Sequence, residues 1–173
     1  MGVDPGLMAT GFGVLEAGPG GVTVVDIGVV TTGSGQSLEA RLHAIHGAIY
    51  RIIDGQAPGL LVVEDLYTEY KFPRTAVLMG HARGIIYLAA RQLGVTLLAL
   101  TPSEVKRAVT GNGAAGKAQM QRAVQTLLGL ESLPRPSHVA DALALAITGM
   151  ARVLGRVPVP RAAVTPGSSR VAP

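Results

Sequence analysis

Four consecutive apolar residues, Leu60-Leu61-Val62-Val63, constrain the fold more than any other stretch of this chain. The run has the length of a strand and lacks the alternation of one with a wet face, so both of its faces must be covered. An amphipathic helix precedes it. Leu38, Leu42, Ile45, Ile49 and Ile52 recur at three- and four-residue steps, from a candidate N-cap at Ser37 to about Asp54, and Gly55 and Pro58 close the segment. A buried strand entered from a helix points to parallel pairing in an α/β protein.

The remaining elements fit that class. Residues 1–4, 10–16 and 22–32 are β-branched or apolar and bounded by glycines, which predicts three successive strands, antiparallel, joined by tight turns such as Gly18-Pro19-Gly20-Gly21. A second helix is predicted from about Arg74 to Leu93, with small residues Ala76, Gly80 and Gly84 on one face, and a buried strand from Val95 to Leu100. Thr101-Pro102-Ser103-Glu104 is a capping box with proline at the first helical position, starting a short helix that ends by Gly111. Helices follow over 117–129 and, capped by Ser137, over about 138–154; the last is apolar on most sides and is predicted to be deeply buried. One domain over 1–154 and a tail of Pro, Gly, Val and Arg over 155–173 are expected.

Composition narrows the chemistry. Cysteine is absent, which excludes disulfides, thiolate zinc sites and a thiol nucleophile. No uninterrupted apolar run reaches the roughly 18 residues that span a bilayer, and no basic leader stretch opens the chain, so a cytoplasmic protein without a membrane partner is expected. Charge is divided unevenly. Residues 1–70 hold two basic and eight acidic side chains, whereas 71–173 hold thirteen basic and three acidic ones. Bases gathered late and acids gathered early suit a polyanionic partner and a carboxylate cluster; a solvated basic surface is the plain alternative.

Three of the eleven acids sit where a solvated surface would not put them. Asp4 ends the first strand, before Pro5-Gly6 turns the chain. Glu64 ends the buried run. Asp141 lies in the first turn of the apolar last helix, with His138 three residues earlier on the same face. Taken singly, each has an ordinary explanation: a turn cap for Asp4, a salt bridge for Glu64, a favourable helix-end charge for Asp141. Together, buried carboxylates with a histidine and no basic residue beside them in sequence point to a divalent-metal site with mainly oxygen ligands.

Gly111-Asn112-Gly113-Ala114-Ala115-Gly116-Lys117 has the spacing of a nucleotide-binding P-loop, but Ala118 stands where a magnesium-binding hydroxyl is needed and a helix, not a strand, precedes it. What remains is a Gly-rich turn with Lys117 at a helix N-terminus, a place for a phosphate.

The core from residue 2 to about 150 resembles the crossover (Holliday) junction resolvase family RuvC, a branch of the ribonuclease H-like superfamily. The resemblance rests on Gly2-Val3-Asp4-Pro5-Gly6 with Thr10-Gly11-Phe12-Gly13, Val63-Glu64, His81-Ala82-Arg83-Gly84, Val105 to Gly113, Lys117-Ala118-Gln119 and Ala140-Asp141-Ala142-Leu143-Ala144. It implies metal-dependent incision of four-way DNA junctions by a homodimer that works with the RuvA–RuvB branch-migration complex. It implies that Asp4, Glu64 and Asp141 are metal ligands, that Lys106 and Lys117 contact DNA phosphate, and that Tyr67 matches an aromatic that helps open base pairs at the crossover. The family usually carries an acid where this chain has His138, and its first strand is longer, so weaker pairing of residues 1–4 is expected here.

The resulting expectation is an α/β, ribonuclease H-like fold: a five-stranded mixed sheet flanked by helices on both sides. The chemistry is phosphodiester hydrolysis in homologous recombination and DNA repair, with two divalent ions, Mg2+ or Mn2+, roughly 4 Å apart. Alternatives are a related nuclease acting on RNA or an RNA–DNA hybrid, and a junction-binding module without catalysis. An actin-like ATPase would need a second lobe that 173 residues do not provide.

Overall fold

A computed structural model describes residues 1–65 and 73–155, with side chains from residue 76 in the second stretch. Tyr67 and the tail beyond Gly155 lie outside the described residues, as do the other loop aromatics Tyr70 and Phe72. Among the described residues there are five strands: β1 (Gly2–Asp4), β2 (Ala9–Gly18), β3 (Gly21–Thr31), β4 (Leu60–Glu64) and β5 (Thr96–Leu100). The helices are α1 (Leu38–Gln56), α2 (Pro73–Gln92), α3 (Pro102–Thr110), α4 (Lys117–Leu128) and α5 (Ser137–Leu154).

The sheet order is β3-β2-β1-β4-β5. The first three strands form an antiparallel meander, whose β2–β3 hairpin closes at Gly18 and Gly21. β4 lies parallel to both β1 and β5. The apolar run in β4 divides by period two, as a strand covered on both faces must. Leu61 and Val63 join Val3, Phe12, Ile45, Ile49 and Ile86 under α1 and α2. Val62 joins Leu100, Val105, Val124 and Leu143 under α3, α4 and α5. The mixed sheet with helices on both sides is therefore the observed architecture.

Several boundaries differ from expectation. The α1 helix runs through Gly55 and stops at Ala57 (φ 42°), because Pro58 disfavours a helical residue before it. Ser37 occupies the N-cap position of α1 but its side chain makes no capping bond. Ser137 is not a cap: the extended residue before α5 is Pro136, and Ser137 is already helical. The capping box at Thr101 and Glu104 forms in full. The short first strand is well paired. The Met1 amine donates to the Leu60 carbonyl at 2.9 Å, and the Met1 carbonyl accepts from Val62 N at 2.8 Å, so the ladder to β4 begins at residue 1.

By length and composition α5, at 18 residues and mean hydropathy 1.2, is apolar enough to cross a bilayer. It is instead the central core helix, continuously buried from Ala142 to Gly149. It lies almost directly on the sheet because glycines face it. A Cβ on Gly2 would come within 2.1 Å of the Ala142 carbonyl, one on Gly11 within 2.1 Å of the His138 carbonyl, and one on Gly149 within 2.3 Å of Val62 Cγ2. Any larger side chain at these positions forces helix and sheet apart.

Candidate active site

Asp4 is the last residue of β1, and the parallel register Gly2↔Val62 and Val3↔Val63 brings it beside Glu64 at the same end of the sheet. The turn that follows Asp4 is held by Thr10. This fully buried hydroxyl donates to the Gly6 carbonyl at 2.7 Å and accepts from Gly6 N at 3.4 Å. Gly6 is required there, since a Cβ would meet the Ala9 carbonyl at 2.4 Å. The Asp-Pro-Gly and Thr-x-Gly segments are thus one device: the threonine locks the turn, and Gly11 lets α5 approach.

That approach delivers His138 and Asp141. Both project from the first turns of α5 toward Asp4, and ligand atoms of Asp4, His138 and Asp141 lie within 4.8 Å of one another. His138 Nδ1 is 2.7 Å from Asp4 Oδ2; with the carboxylate ionised, the ring N–H donates. The same-face prediction for His138 and Asp141 therefore holds, and the first contact of His138 is the Asp4 carboxylate.

Burial raises the proton affinity of all three acids, and neighbouring acids add to it at Glu64 and Asp4. Burial, followed by the charges of Asp4 and Asp141, pushes Glu64 up to about 7. Burial is also the largest cause for Asp4, which stands at about 6: the Asp141 charge raises it further, and the His138 hydrogen bond and Lys117 offset part of the rise. Burial raises Asp141 as well, against the opposing charges of Lys117, His138 and Lys106. Carboxylates crowded beyond what their own charges tolerate, with an imidazole among them, fit a bound divalent cation. Asp4, Asp141 and Glu64 offer the oxygens, and His138 the nitrogen.

Lys106 and Lys117 act electrostatically on Glu64 and Asp141, so both lie close to the acids. Lys106 is partly buried on α3, and Lys117 is the exposed first residue of α4, after an N-cap at Gly116. The Gly-rich turn between them follows a helix, as expected, and Asn112 Oδ1 holds it by accepting from Ala114 N at 2.9 Å. Sequence reasoning took the glycines of β1 and β2 as strand punctuation and missed their role as the seat of α5. The usable signal was the period-two spacing of Gly11 and Gly13, which puts both on one face.

With this geometry in place, comparison with known proteins is specific. A family model, "Crossover junction endodeoxyribonuclease RuvC", matches residues 1–149. A protein of that name from Rhodopirellula baltica is 41% identical over 149 residues, 86% of this chain and 84% of its own length. One from Pelotomaculum thermopropionicum is 43% identical over 147 residues, covering 85% and 89%. Among solved structures, Thermus thermophilus RuvC in complex with Holliday junction substrate superposes with a TM-score of 0.81 at 34% identity, over 91% of this chain and 97% of that one. The yeast mitochondrial Holliday junction resolvase Ydc2, at TM-score 0.61 and 12% identity, shares the fold.

Proposed function

This chain belongs to the crossover junction endodeoxyribonuclease RuvC family, and from that premise we propose that it resolves four-way DNA junctions by symmetric, metal-dependent hydrolysis of paired phosphodiesters, with Asp4, Glu64, His138 and Asp141 holding divalent cations. The observation that carries the site assignment is the convergence of Asp4, His138 and Asp141 within 4.8 Å at the sheet end that also bears Glu64. When bound, two divalent cations supply activation of the attacking water and stabilisation of the leaving 3′ oxygen. The chain's own residues do the rest. Asp4 and Glu64, on adjacent parallel strands, set the spacing of the oxygen donors. Asp141 and His138 close the site from α5. Lys106 and Lys117 carry charge that opposes the acids and attracts the scissile backbone. Tyr67, three residues beyond Glu64, is assigned the role of opening base pairs by the family resemblance.

Symmetric incision calls for two sites, and a homodimer supplies them. The surface of α2 supports this, with Gly84 of the expected small face among its exposed residues. Ala76 and Gly80 are partly buried, whereas Val77 (59% exposed), His81, Gly84 and Leu88 (50%) form one exposed stripe at helical spacing. Among the described residues nothing lies within 4 Å of a Cβ built on Gly84, which leaves room there for a mate. Work with a RuvA–RuvB complex, in the cytoplasm, rests on the resemblance.

The test is a cleavage assay of synthetic four-way junction, linear duplex and RNA–DNA hybrid with Mg2+ or Mn2+. Junction-selective paired nicks that vanish in Asp4→Asn, with junction binding retained, are expected. Preferential cutting of the hybrid would favour the related ribonuclease activity. Binding without cleavage by the wild-type chain would leave a junction-binding module.

A further inference from the structure

Arg83 lies on the sheet-facing flank of α2, beside the exposed stripe, and takes no part in the site described above. Its Nη2 is 2.6 Å from Oδ1 of Asp65, the residue after Glu64. Its guanidinium carbon sits 4.6 Å from the centre of the Tyr87 ring, one helical turn further along α2. Arg83 Nε and Tyr87 Oη are both buried and have no hydrogen-bond partner among the described residues. Arginine is suited to this arrangement, since its planar cation stacks on an aromatic face while its fork grips a carboxylate. An exposed ion pair contributes little to stability by itself, so an arginine held by both a carboxylate and a ring calls for another explanation.

The place of the grip supplies one. The β1 strand ends at Asp4, and its register with β4 ends at Val63. Among the described residues, the backbone of β4 beyond that point pairs with β5: Glu64 pairs with Leu100, and Asp65 N donates to the Leu100 carbonyl at 2.7 Å. The ladder between β1 and β4 among the described residues does not extend past Val63. The direction of the Glu64 carboxylate therefore depends on what restrains the residue after it. Among the described residues, Lys106 and Lys117 are the cations that act on Glu64 electrostatically, and Arg83 is linked to it through Asp65.

We propose that Arg83 is a positioning residue: stacked on Tyr87 and paired with Asp65, it anchors the open end of β4 and so aims Glu64 at the metal site. The inference rests on the assignment of Glu64 as a metal ligand. It also makes α2, the helix with the proposed dimer stripe, the element that holds that ligand in place.

A double-mutant cycle on the full-length chain tests it, using Arg83→Gln, Asp65→Asn, their combination, and Arg83→Lys. Partners that orient metal ligands characteristically change metal affinity or activity by about 10- to 100-fold. Arg83→Gln and Asp65→Asn should each reduce single-turnover cleavage at saturating junction by roughly tenfold or more, with junction affinity unchanged within about twofold. The Mn2+ concentration that raises the melting temperature of the DNA-free protein should increase in both. The double variant should be no worse than either single one, and Arg83→Lys, which keeps the ion pair, should recover part of the loss.

Asp65 is substantially exposed, so Asp65→Asn remains informative if Arg83→Gln fails to fold. Wild-type cleavage and metal response in Asp65→Asn, or losses that multiply in the double variant, would overturn the proposal. Glu64→Gln separates it from its premise. If that variant cleaves normally, Glu64 is not a ligand; if it is inactive while Asp65→Asn is normal, only the positioning role falls.

Discussion

Glu64→Gln should make the metal-free protein more stable while abolishing its cleavage. The reasoning starts from the raised proton affinity of Glu64, which stands at about 7 because of burial and the neighbouring Asp4 and Asp141 charges. A carboxyl with a folded-state value above its unfolded one contributes stability that is complete below the unfolded value and is lost as pH rises through the folded one. With metal chelated, the wild-type protein should thus weaken between about pH 5 and 8. Relative to its ordinary 4.5, a carboxyl at about 7 implies roughly 3 kcal/mol at pH 8, at about 1.4 kcal/mol for each pH unit. Partial solvent access makes that an upper figure. Glutamine keeps the shape and removes the charge. For a domain of this size, about 3 kcal/mol corresponds to a melting temperature higher by roughly 6–12 °C. Thermal melts in EDTA at pH 8 and pH 5 measure it. The gap should be large at pH 8 and close toward pH 5, where wild-type Glu64 carries its proton. Mn2+ should narrow it at pH 8 by stabilising the wild type more. A Glu64→Gln variant that melts at or below the wild-type temperature at pH 8 in EDTA would refute the picture of mutually repelling buried acids.

Asp141→Asn should remove cleavage and leave junction binding intact, because it takes negative charge away from the DNA-binding site; cleavage at the wild-type rate would exclude Asp141 as a ligand. Gly11→Ala should lower stability by about 1–3 kcal/mol and impair cleavage together, since its Cβ would displace the backbone that carries His138; thermal melts and nicking assays check both. Lys117→Ala should weaken junction binding at all sequences and reduce the salt slope by about one unit, read from titrations at several salt concentrations. His138→Asp should shift the metal preference from Mn2+ toward Mg2+, because it replaces a nitrogen donor with an oxygen donor; an unchanged metal preference would confine His138 to its hydrogen bond with Asp4.

The apolar run at residues 60–63, the helical spacing around it and the glycine-bounded β-branched stretches determined the α/β class, the mixed pairing and nearly every element, because burial period and chain-breaking residues are local properties. The acids Asp4, Glu64 and Asp141 were legible for a related reason: in a chain with so few charges, a carboxylate at the end of an apolar element stands out. Other features were decided only in three dimensions. The seating of α5 on Gly2 and Gly11 joins positions more than 120 residues apart, and nothing local to either glycine says what will cover it. The grip of Arg83 on Asp65 was invisible for the same reason, although Arg83 lay in plain sight within His81-Ala82-Arg83-Gly84. Of the small residues on α2, Ala76 and Gly80 are partly buried and Gly84 is exposed, a division only the fold could make, because small residues permit close packing without specifying where it occurs. Raised proton affinities depend on burial and on neighbours brought in by distant chain, so they too belong to the tertiary structure: sequence names the groups that titrate, and packing decides how strongly each holds its proton.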